Sequence, residues 1–238
     1  MSEQHGNAGQ GARIMAFKRE LIVLGCALGM FFMAWLWMKN AASISSLGLP
    51  AVIVLVVAFK LLVNKVDKKA KYVKKRAKDA DRGAAAEVKV AATMAGLPEG
   101  FTAFHDLTFT GFNIDHVAVG ASGIYLIETK SHGGKVTADG DKLLLNGNPP
   151  DKDFINQTWS QTYQLKSYLK EQTGKEYQVK PVLCFSRAFV QLRQAVKGVA
   201  VVNSKFLNEL LQRQKSQLST DDIQSVTAAL RTKTASRR

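Results

Sequence analysis

Residues 113–130 constrain the fold more than any other part of the chain, because they form two apolar segments around a tight turn. The segments read NIDHVAVG and GIYLIETK, and Ala121-Ser122 joins them. Apolar, β-branched runs on either side of a Gly-rich turn are typical of a β-hairpin. If Ala121 and Ser122 are the two loop residues, the numbers of facing residues sum to 243. The register therefore predicts that Asp115 faces Glu128.

This register places two carboxylates and one amine on the same face of the hairpin. Directly opposite Cβ atoms lie about 4.5–5.5 Å apart, and Lys130, two residues beyond Glu128, projects from the same face. Val117 and Leu126 share that face, so the acidic pair stands at the rim of an apolar core. Two ionised carboxylates this close repel by roughly 3 kcal/mol. They require a cationic partner, a metal or a raised pKa.

A simpler interpretation of these residues is an ordinary surface ladder. Glu128 and Lys130 would then be solvated, and Asp115 would cap a turn. The D…ExK pattern is short and often arises by chance, so spacing alone leaves both interpretations open.

Two further candidates lie on predicted helices. Residues 83–96 are expected to be helical, and Glu87 falls on a stripe of small and apolar residues (Ala84, Val88, Ala91 and Ala95). Gln157 lies on a helix predicted near 154–171. Glu87 is a candidate third carboxylate for the hairpin, and Gln157 is a candidate for orienting a phosphate or a water. The alternative for both is a solvated helix side chain.

Several of these segments together resemble the NERD (nuclease-related domain) family. They are IDHV at 114–117, GIYLIETK at 123–130 and GKV at 134–136, with Glu87 upstream and Gln157 downstream. The resemblance covers roughly residues 80–190. It implies an α/β fold with a restriction-endonuclease-like mixed sheet flanked by helices, of the PD-(D/E)xK type. This sequence departs from the wider pattern in two places: no proline precedes Asp115, and Asp153-Phe154 replaces Asn-Pro before the Gln helix.

The resemblance also implies a chemistry. Asp115, Glu128, Lys130 and Glu87 match the presumed catalytic residues, and Gln157 matches a substrate-orienting glutamine. Asp115, Glu128, Glu87 and the backbone carbonyl of Thr129 would hold Mg²⁺ or Mn²⁺, since hard cations prefer oxygen ligands. The implied activity is hydrolysis of phosphodiester bonds, with DNA as the expected substrate.

Two apolar stretches near the start predict a transmembrane hairpin. Leu21 to Met38 carries no charge, and Ile44 to Val63 carries only Lys60. Both approach the length of about 20 residues that spans a bilayer, and a lysine near a helix end can snorkel to the headgroups. A cleaved signal peptide is the alternative for the first stretch. Basic residues flank the pair and are scarce in the loop between, which predicts a bacterial-type inner-membrane protein with both termini cytoplasmic.

The net charge of +14 is concentrated outside the predicted domain. Residues 65–82 hold nine basic and three acidic side chains, and residues 231–238 hold four basic ones, whereas residues 83–230 are nearly neutral. A basic run beside a membrane span is expected to contact anionic headgroups, here at 65–78. The overall charge is therefore weak evidence for nucleic-acid binding.

These features give a predicted organisation and two rival functions. The segments are a disordered cytoplasmic tail (1–17), the transmembrane hairpin (18–63), a basic juxtamembrane stalk (64–82), the nuclease-like domain (83–203), C-terminal helices (204–230) and a basic tail (231–238). One rival is a catalytically inactive, membrane-tethered module that binds nucleic acid or acts as a scaffold. The other is a structural membrane partner in which Lys130 bridges the acidic pair. The sequence leaves open whether the chain forms a homo-oligomer.

Overall fold

The computed structural model describes residues 3–5, 24–25, 28–29, 31–32, 35, 38–39, 49–109, 111–213 and 216–235. These residues divide into two compact units, one of residues 1–11 and 82–238 and one of residues 12–81. Most of the predicted first membrane span lies outside the described residues. Within the described part, no helix combines the length and the apolar character needed to cross a membrane.

Helix α1 (Leu49–Met94) is continuous through residues that were predicted to form a separate stalk and a separate helix. The predicted apolar stripe is correct in part: Ala84 is buried and Ala91 is half-buried, but its other two members are exposed. Val90 and Met94 are buried, whereas Val88 is 40% exposed and Ala95 lies exposed beyond the helix end. The segment is so rich in alanine that several faces are almost equally apolar, and periodicity cannot choose among them.

The central element is a mixed sheet. Its strands, among the described residues, are β1 (Glu3–His5), β2 (Thr102–Phe109), β3 (Phe112–Gly120), β4 (Gly123–Lys130), β7 (Val179–Phe185) and β9 (Ala200–Asn203). They lie in the order β1-β2-β3-β4-β7-β9. The β2–β3 and β3–β4 pairs are antiparallel, and the β1–β2, β4–β7 and β7–β9 pairs are parallel. The predicted mixed sheet flanked by helices is confirmed.

Both chain ends depart from the predicted organisation. Residues 3–5, placed in a disordered tail, form β1, in which Glu3 N–H donates to the Phe101 carbonyl at 3.2 Å. This strand covers an edge of β2 that would otherwise expose unpaired backbone groups. Helix α4 (Thr220–Ala235) runs past the predicted tail boundary at 231, and Arg231 forms an ion pair with Glu3 at 2.6 Å. Residues 3–5 are polar and lack the apolar alternation of a strand, and residues 231–235 carry no apolar residue larger than alanine that would extend the predicted helix.

Helices cover both faces of the large sheet. Helix α2 (Phe154–Thr173) and α4 pack on the face that carries Val117 and Leu126, which is the predicted core face. The end of α1 and the short helix α3 (Leu207–Gln212) pack on the opposite face. Strand β4 is therefore buried on both sides, which explains why it reads as an unbroken apolar run rather than an alternating one.

A smaller sheet extends from the carboxyl ends of β4 and β7. It consists of β5 (Lys135–Asp139), β6 (Lys142–Leu145) and β8 (Phe189–Val190), in the order β6-β5-β8 among the described strands. Its inner residues share an apolar cluster with Phe185 and with Phe154 of α2. The small sheet is thereby packed against the end of the large sheet at which Lys130 lies.

Gly134 sets the start of this small sheet, and its replacement by alanine is expected to be destabilising. Its φ is +89°, and an added Cβ would lie 2.1 Å from Oδ1 of Asn146. That oxygen accepts a hydrogen bond from the Lys135 N–H at 2.8 Å, so it cannot move away without losing the contact. We expect Gly134→Ala to lower the free energy of unfolding by about 2 kcal/mol. Chemical denaturation tests this, with Gly140→Ala, where φ is also positive but nothing lies within 4 Å, as control.

Candidate metal and catalytic site

The β3–β4 hairpin adopts the predicted register. Its paired residues run from His116 with Ile127 to Gly120 with Gly123, and each pair sums to 243. The backbone ladder stops one pair before Asp115 and Glu128. On the other side of β3, Asp115 and the facing Asp106 are also left out of the β2–β3 ladder, and Asp106 has a φ of +51°. The hairpin thus opens at the two carboxylates.

Asp115 fills this opening with its side chain. Its Oδ2 accepts the Thr129 N–H at 2.7 Å, in place of a backbone carbonyl of β3. The N–H and C=O of one strand residue point to the same side of the strand. The Thr129 carbonyl therefore lies on the edge of β4 that faces Asp115. The two predicted ligands are thus on the same side of the strand.

Glu128, Lys130 and Gln157 form a closed set of contacts beside it. Lys130 Nζ donates to Glu128 Oε1 at 2.6 Å and to Gln157 Oε1 at 3.0 Å. Gln157 Nε2 donates to the same Glu128 oxygen at 2.7 Å. The ion pair is shielded from solvent, with only 5% of the Glu128 side chain and 13% of the Lys130 side chain exposed. The structure therefore brings together the hairpin residues and the helix residue that the sequence singled out.

The charge of Glu87, on α1, acts on the pKa of Asp115. Burial raises the pKa of Asp115 well above its usual value of 3.8, and the charges of Glu128 and then Glu87 raise it further. The Thr129 N–H and the Lys130 charge oppose these effects. The charges of two other carboxylates thus act on Asp115, as expected for a site that gathers negative charge.

The donor set fits a hard divalent cation. Glu128 Oε2 is buried and has no hydrogen-bond partner among the described residues, while Oε1 receives both donors. A buried, unsatisfied carboxylate oxygen normally indicates a missing partner. Within the part of the chain that is described, no group of three or more His, Cys, Asp or Glu side chains forms a ready metal cage. The two carboxylates and the Thr129 carbonyl are oxygen donors of the kind that Mg²⁺ and Mn²⁺ accept.

The start of helix α2 supports the site through Asp153 and Phe154, which the sequence marked only as a departure from the family pattern. Asp153 caps the helix, and its Oδ1 accepts the Asn156 N–H at 3.0 Å. Phe154, the first helical residue, lies under the Lys130 ammonium, 4.7 Å from Nζ to the ring centroid. The ring of His132 lies 5.2 Å from that of Phe154. Asp153-Phe154 thus provides a capped helix start in which the ring of Phe154 packs against Lys130.

A histidine pair lies on the other face of the hairpin. The Nδ1 atoms of His105 and His116 are 2.8 Å apart, and both rings are buried. Burial, and then the charge of His105, lowers the pKa of His116 well below its usual value of 6.5. The lowered pKa favours the neutral form of His116 in the core.

Comparison with known proteins shows which family this region resembles. Residues 82–186 match the family model described as NERD: Nuclease-related domain. This region of the chain is therefore similar to a nuclease-related domain. No curated protein matches the chain. Among solved structures it is similar to the crystal structure of protein VC1899 from Vibrio cholerae, with 14% identity and a TM-score of 0.27 over 93% of this chain and 57% of that one. The chain thus spans little more than half of that protein's length.

The region matched by the family model, residues 82–186, contains every residue of the candidate site. Glu87 comes from α1, Asp115 from β3, Glu128 and Lys130 from β4, and Gln157 from α2. The structure therefore gathers residues that are as much as 70 positions apart in the chain. Their roles in metal binding and catalysis remain predictions that follow from this placement.

Proposed function

We propose that this chain is a metal-dependent nuclease that hydrolyses phosphodiester bonds, with DNA as its substrate. The observation that supports this most is the open end of the hairpin, where Asp115 has a raised pKa and Glu128 keeps one buried oxygen unsatisfied beside Lys130. Buried acidic groups of this kind are characteristic of functional sites. The nuclease-related domain that contains them is consistent with phosphodiester chemistry.

In this proposal Asp115, Glu128 and the Thr129 carbonyl hold Mg²⁺ or Mn²⁺, with Glu87 close enough to contribute charge. When bound, such an ion lowers the pKa of a coordinated water and neutralises the phosphate. The protein's own residues then position the substrate. The Thr129 N–H holds Oδ2 of the Asp115 carboxylate at 2.7 Å, and Oδ1 takes no part in that hydrogen bond.

Lys130 supplies the positive charge that this site needs in the transition state. Its ammonium is held by Glu128, Gln157 and the ring of Phe154, so its position is fixed before substrate arrives. A preorganised cation in a shielded site stabilises negative charge that develops on the phosphate, because no reorganisation is needed at that moment. Gln157 accepts a hydrogen bond from Lys130 and donates one to Glu128, so it holds both side chains in place.

We expect Gln157→Ala to lower the cleavage rate by about 10- to 100-fold, as is usual when a group that orients metal ligands is removed. The reason is that Gln157 contacts both Glu128 and Lys130 without being a candidate ligand itself. Steady-state cleavage rates measure the effect. Gln164→Ala, on the same helix and bonded only to Ser160 in the described structure, is the control and should match wild type.

The inactive binding module and the structural partner give a different account of the same residues. In the structural account Lys130 alone would neutralise the acidic pair. The ion pair at 2.6 Å agrees with that account. The raised pKa of Asp115 and the arrangement at Glu128 favour a cation instead, because Lys130 and Gln157 both donate to Oε1 and leave the buried Oε2 available to an ion.

We also propose that residues 18–63 anchor the chain in a bacterial-type inner membrane, with both termini and the domain cytoplasmic. The support is the sequence pattern of two apolar stretches flanked by basic residues. The basic residues at 65–78 would then contact anionic headgroups. Carbonate extraction of membranes tests the anchor: the full chain should stay in the pellet, and its release into the supernatant would contradict the proposal.

A cleavage assay tests the nuclease itself. The purified full chain in detergent is incubated with single-stranded DNA, duplex DNA and RNA, in the presence of Mg²⁺, Mn²⁺ or EDTA. The proposal predicts cleavage of DNA with either metal and none with EDTA. Binding of nucleic acid without cleavage under every metal condition would favour the inactive module.

A further inference from the structure

Phe189 is the most exposed aromatic residue among the described residues from 82 onwards. Its backbone position is fixed by strand pairing. Its side chain is 68% exposed. Its backbone N–H donates to the Gly134 carbonyl at 2.8 Å, and it pairs with Lys135 in the parallel β5–β8 ladder. Single exposed apolar residues are common on protein surfaces, so exposure alone indicates nothing. Its neighbours decide what this ring can bind.

Two basic residues lie next to Phe189, one as its partner in the ladder and one two positions earlier in the chain. Lys135 is the register partner of Phe189, and facing residues of paired strands project from the same face. Arg187 precedes Phe189 by two residues and is exposed, while Ala188 between them is fully buried. The Arg187 Nε donates to the Ser131 carbonyl at 3.0 Å, which holds the guanidinium beside the loop after Lys130. Phe189, Lys135 and Arg187 are named the Phe189 platform below.

The platform is joined to the candidate site by two short connections. Lys130 pairs with Phe185 at the end of the β4–β7 ladder, and the Ser186 N–H donates to the Lys130 carbonyl at 3.0 Å. Three residues lie between Phe185 and Phe189, so these four steps of chain span at most about 14 Å. A polynucleotide that enters the site at Lys130 therefore reaches the platform within a few nucleotides.

We propose that the Phe189 platform binds single-stranded nucleic acid that runs from the cleavage site, with a base stacked on Phe189 and phosphates held by Lys135 and Arg187. Combined aromatic and cationic contacts are how proteins bind single strands without sequence preference. A duplex offers no free base face to the ring, because its bases are already stacked on each other. The inference rests on the proposed nuclease function, since it assigns a substrate form to the same site.

Binding measured without cleavage tests the platform. The full chain in detergent and EDTA is titrated against fluorescently labelled oligothymidylate of about ten nucleotides and against a duplex of the same length. Phe189→Ala is expected to weaken single-strand binding about tenfold and to leave duplex binding unchanged. Tyr163→Ala, which removes an aromatic residue that is 59% exposed on α2, should bind like wild type.

Salt dependence tests the cations separately. Lys135→Ala is expected to reduce the slope of log affinity against log salt by about 0.7 for the single strand. Lys170→Ala removes the same charge near the far end of α2, where Lys170 pairs with Glu176, and should leave the slope unchanged. This comparison separates a phosphate contact from a general loss of positive charge.

Three results would overturn the platform. The first is that Phe189→Ala binds the single strand like wild type. The second is that Phe189→Ala weakens binding of single strand and duplex equally. The third is that Phe189→Ala loses binding to phosphatidylserine vesicles while its oligonucleotide binding is unaffected. Because the assay contains EDTA, it does not depend on cleavage. Phe189-dependent binding by a protein that never cleaves would leave the platform in place and refute the nuclease.

Discussion

Replacing Lys130 by methionine is expected to lower metal-dependent cleavage by about 10²–10³-fold while leaving the affinity for Mg²⁺ equal to or higher than that of wild type. Methionine keeps an apolar stem against Phe154 but removes the charge. The charge would stabilise the phosphate in the transition state, so cleavage falls. The same charge repels a nearby cation, so metal binding does not fall.

The opposite directions of the two effects distinguish catalysis from structure. Cleavage rates and Mg²⁺ titrations on the same preparation provide the measurement, and Lys170→Met at the far end of α2 provides a control with the same change in charge. If Lys130→Met lost cleavage and metal binding together, Lys130 would be a structural bridge of the acidic pair. If it retained full cleavage, its catalytic role would be excluded.

The second large effect is expected at Asp115, where Asp115→Asn should stabilise the metal-free protein at high pH and abolish stabilisation by Mg²⁺. The folded-state pKa of Asp115 is raised above its unfolded value. Its contribution to stability is therefore complete below the unfolded pKa, near 4, and is lost as pH rises through the folded pKa. Asparagine still accepts the Thr129 N–H but carries no charge. At pH 8 we expect the variant to be more stable by about 2 kcal/mol in EDTA.

Unfolding free energies measured from pH 4 to 8, with and without Mg²⁺, test this expectation. Mg²⁺ at a hundred times its Kd should stabilise wild type by about 2.7 kcal/mol and leave the variant unchanged. His116, whose pKa is lowered, makes both proteins less stable below pH 6.5, and this contribution cancels in the difference. Parallel pH profiles for the two proteins would contradict the raised pKa of Asp115.

The hairpin shows how much of the site could be predicted from sequence. Its register followed from two loop residues, because the side-chain period of a strand is fixed and the flanking residues are apolar. The convergence of Glu87 and Gln157 on the hairpin could not be derived from spacing, since it depends on how α1 and α2 pack on the sheet. The family resemblance supplied that convergence, and the geometry agrees with it.

Other features depended on contacts that no local pattern encodes. Phe154 lies under Lys130 because Asp153 caps α2 at that point, and an Asp-Phe pair carries no signal for such a contact. Strand β1 consists of three polar residues, so only the unpaired edge of β2 explains it. The register of the buried stripe on α1 was hidden by the alanines that surround it.

Isothermal titration of Mg²⁺ or Mn²⁺ into the full chain and into its Glu128→Gln variant tests the central claim most directly. Glutamine keeps the size of the side chain and an acceptor for Lys130, but it removes the charge and the second carboxylate oxygen. If Asp115 and Glu128 hold a catalytic cation, wild type will show saturable binding and the variant will bind at least about tenfold more weakly. Equal affinities in the two proteins would contradict the account.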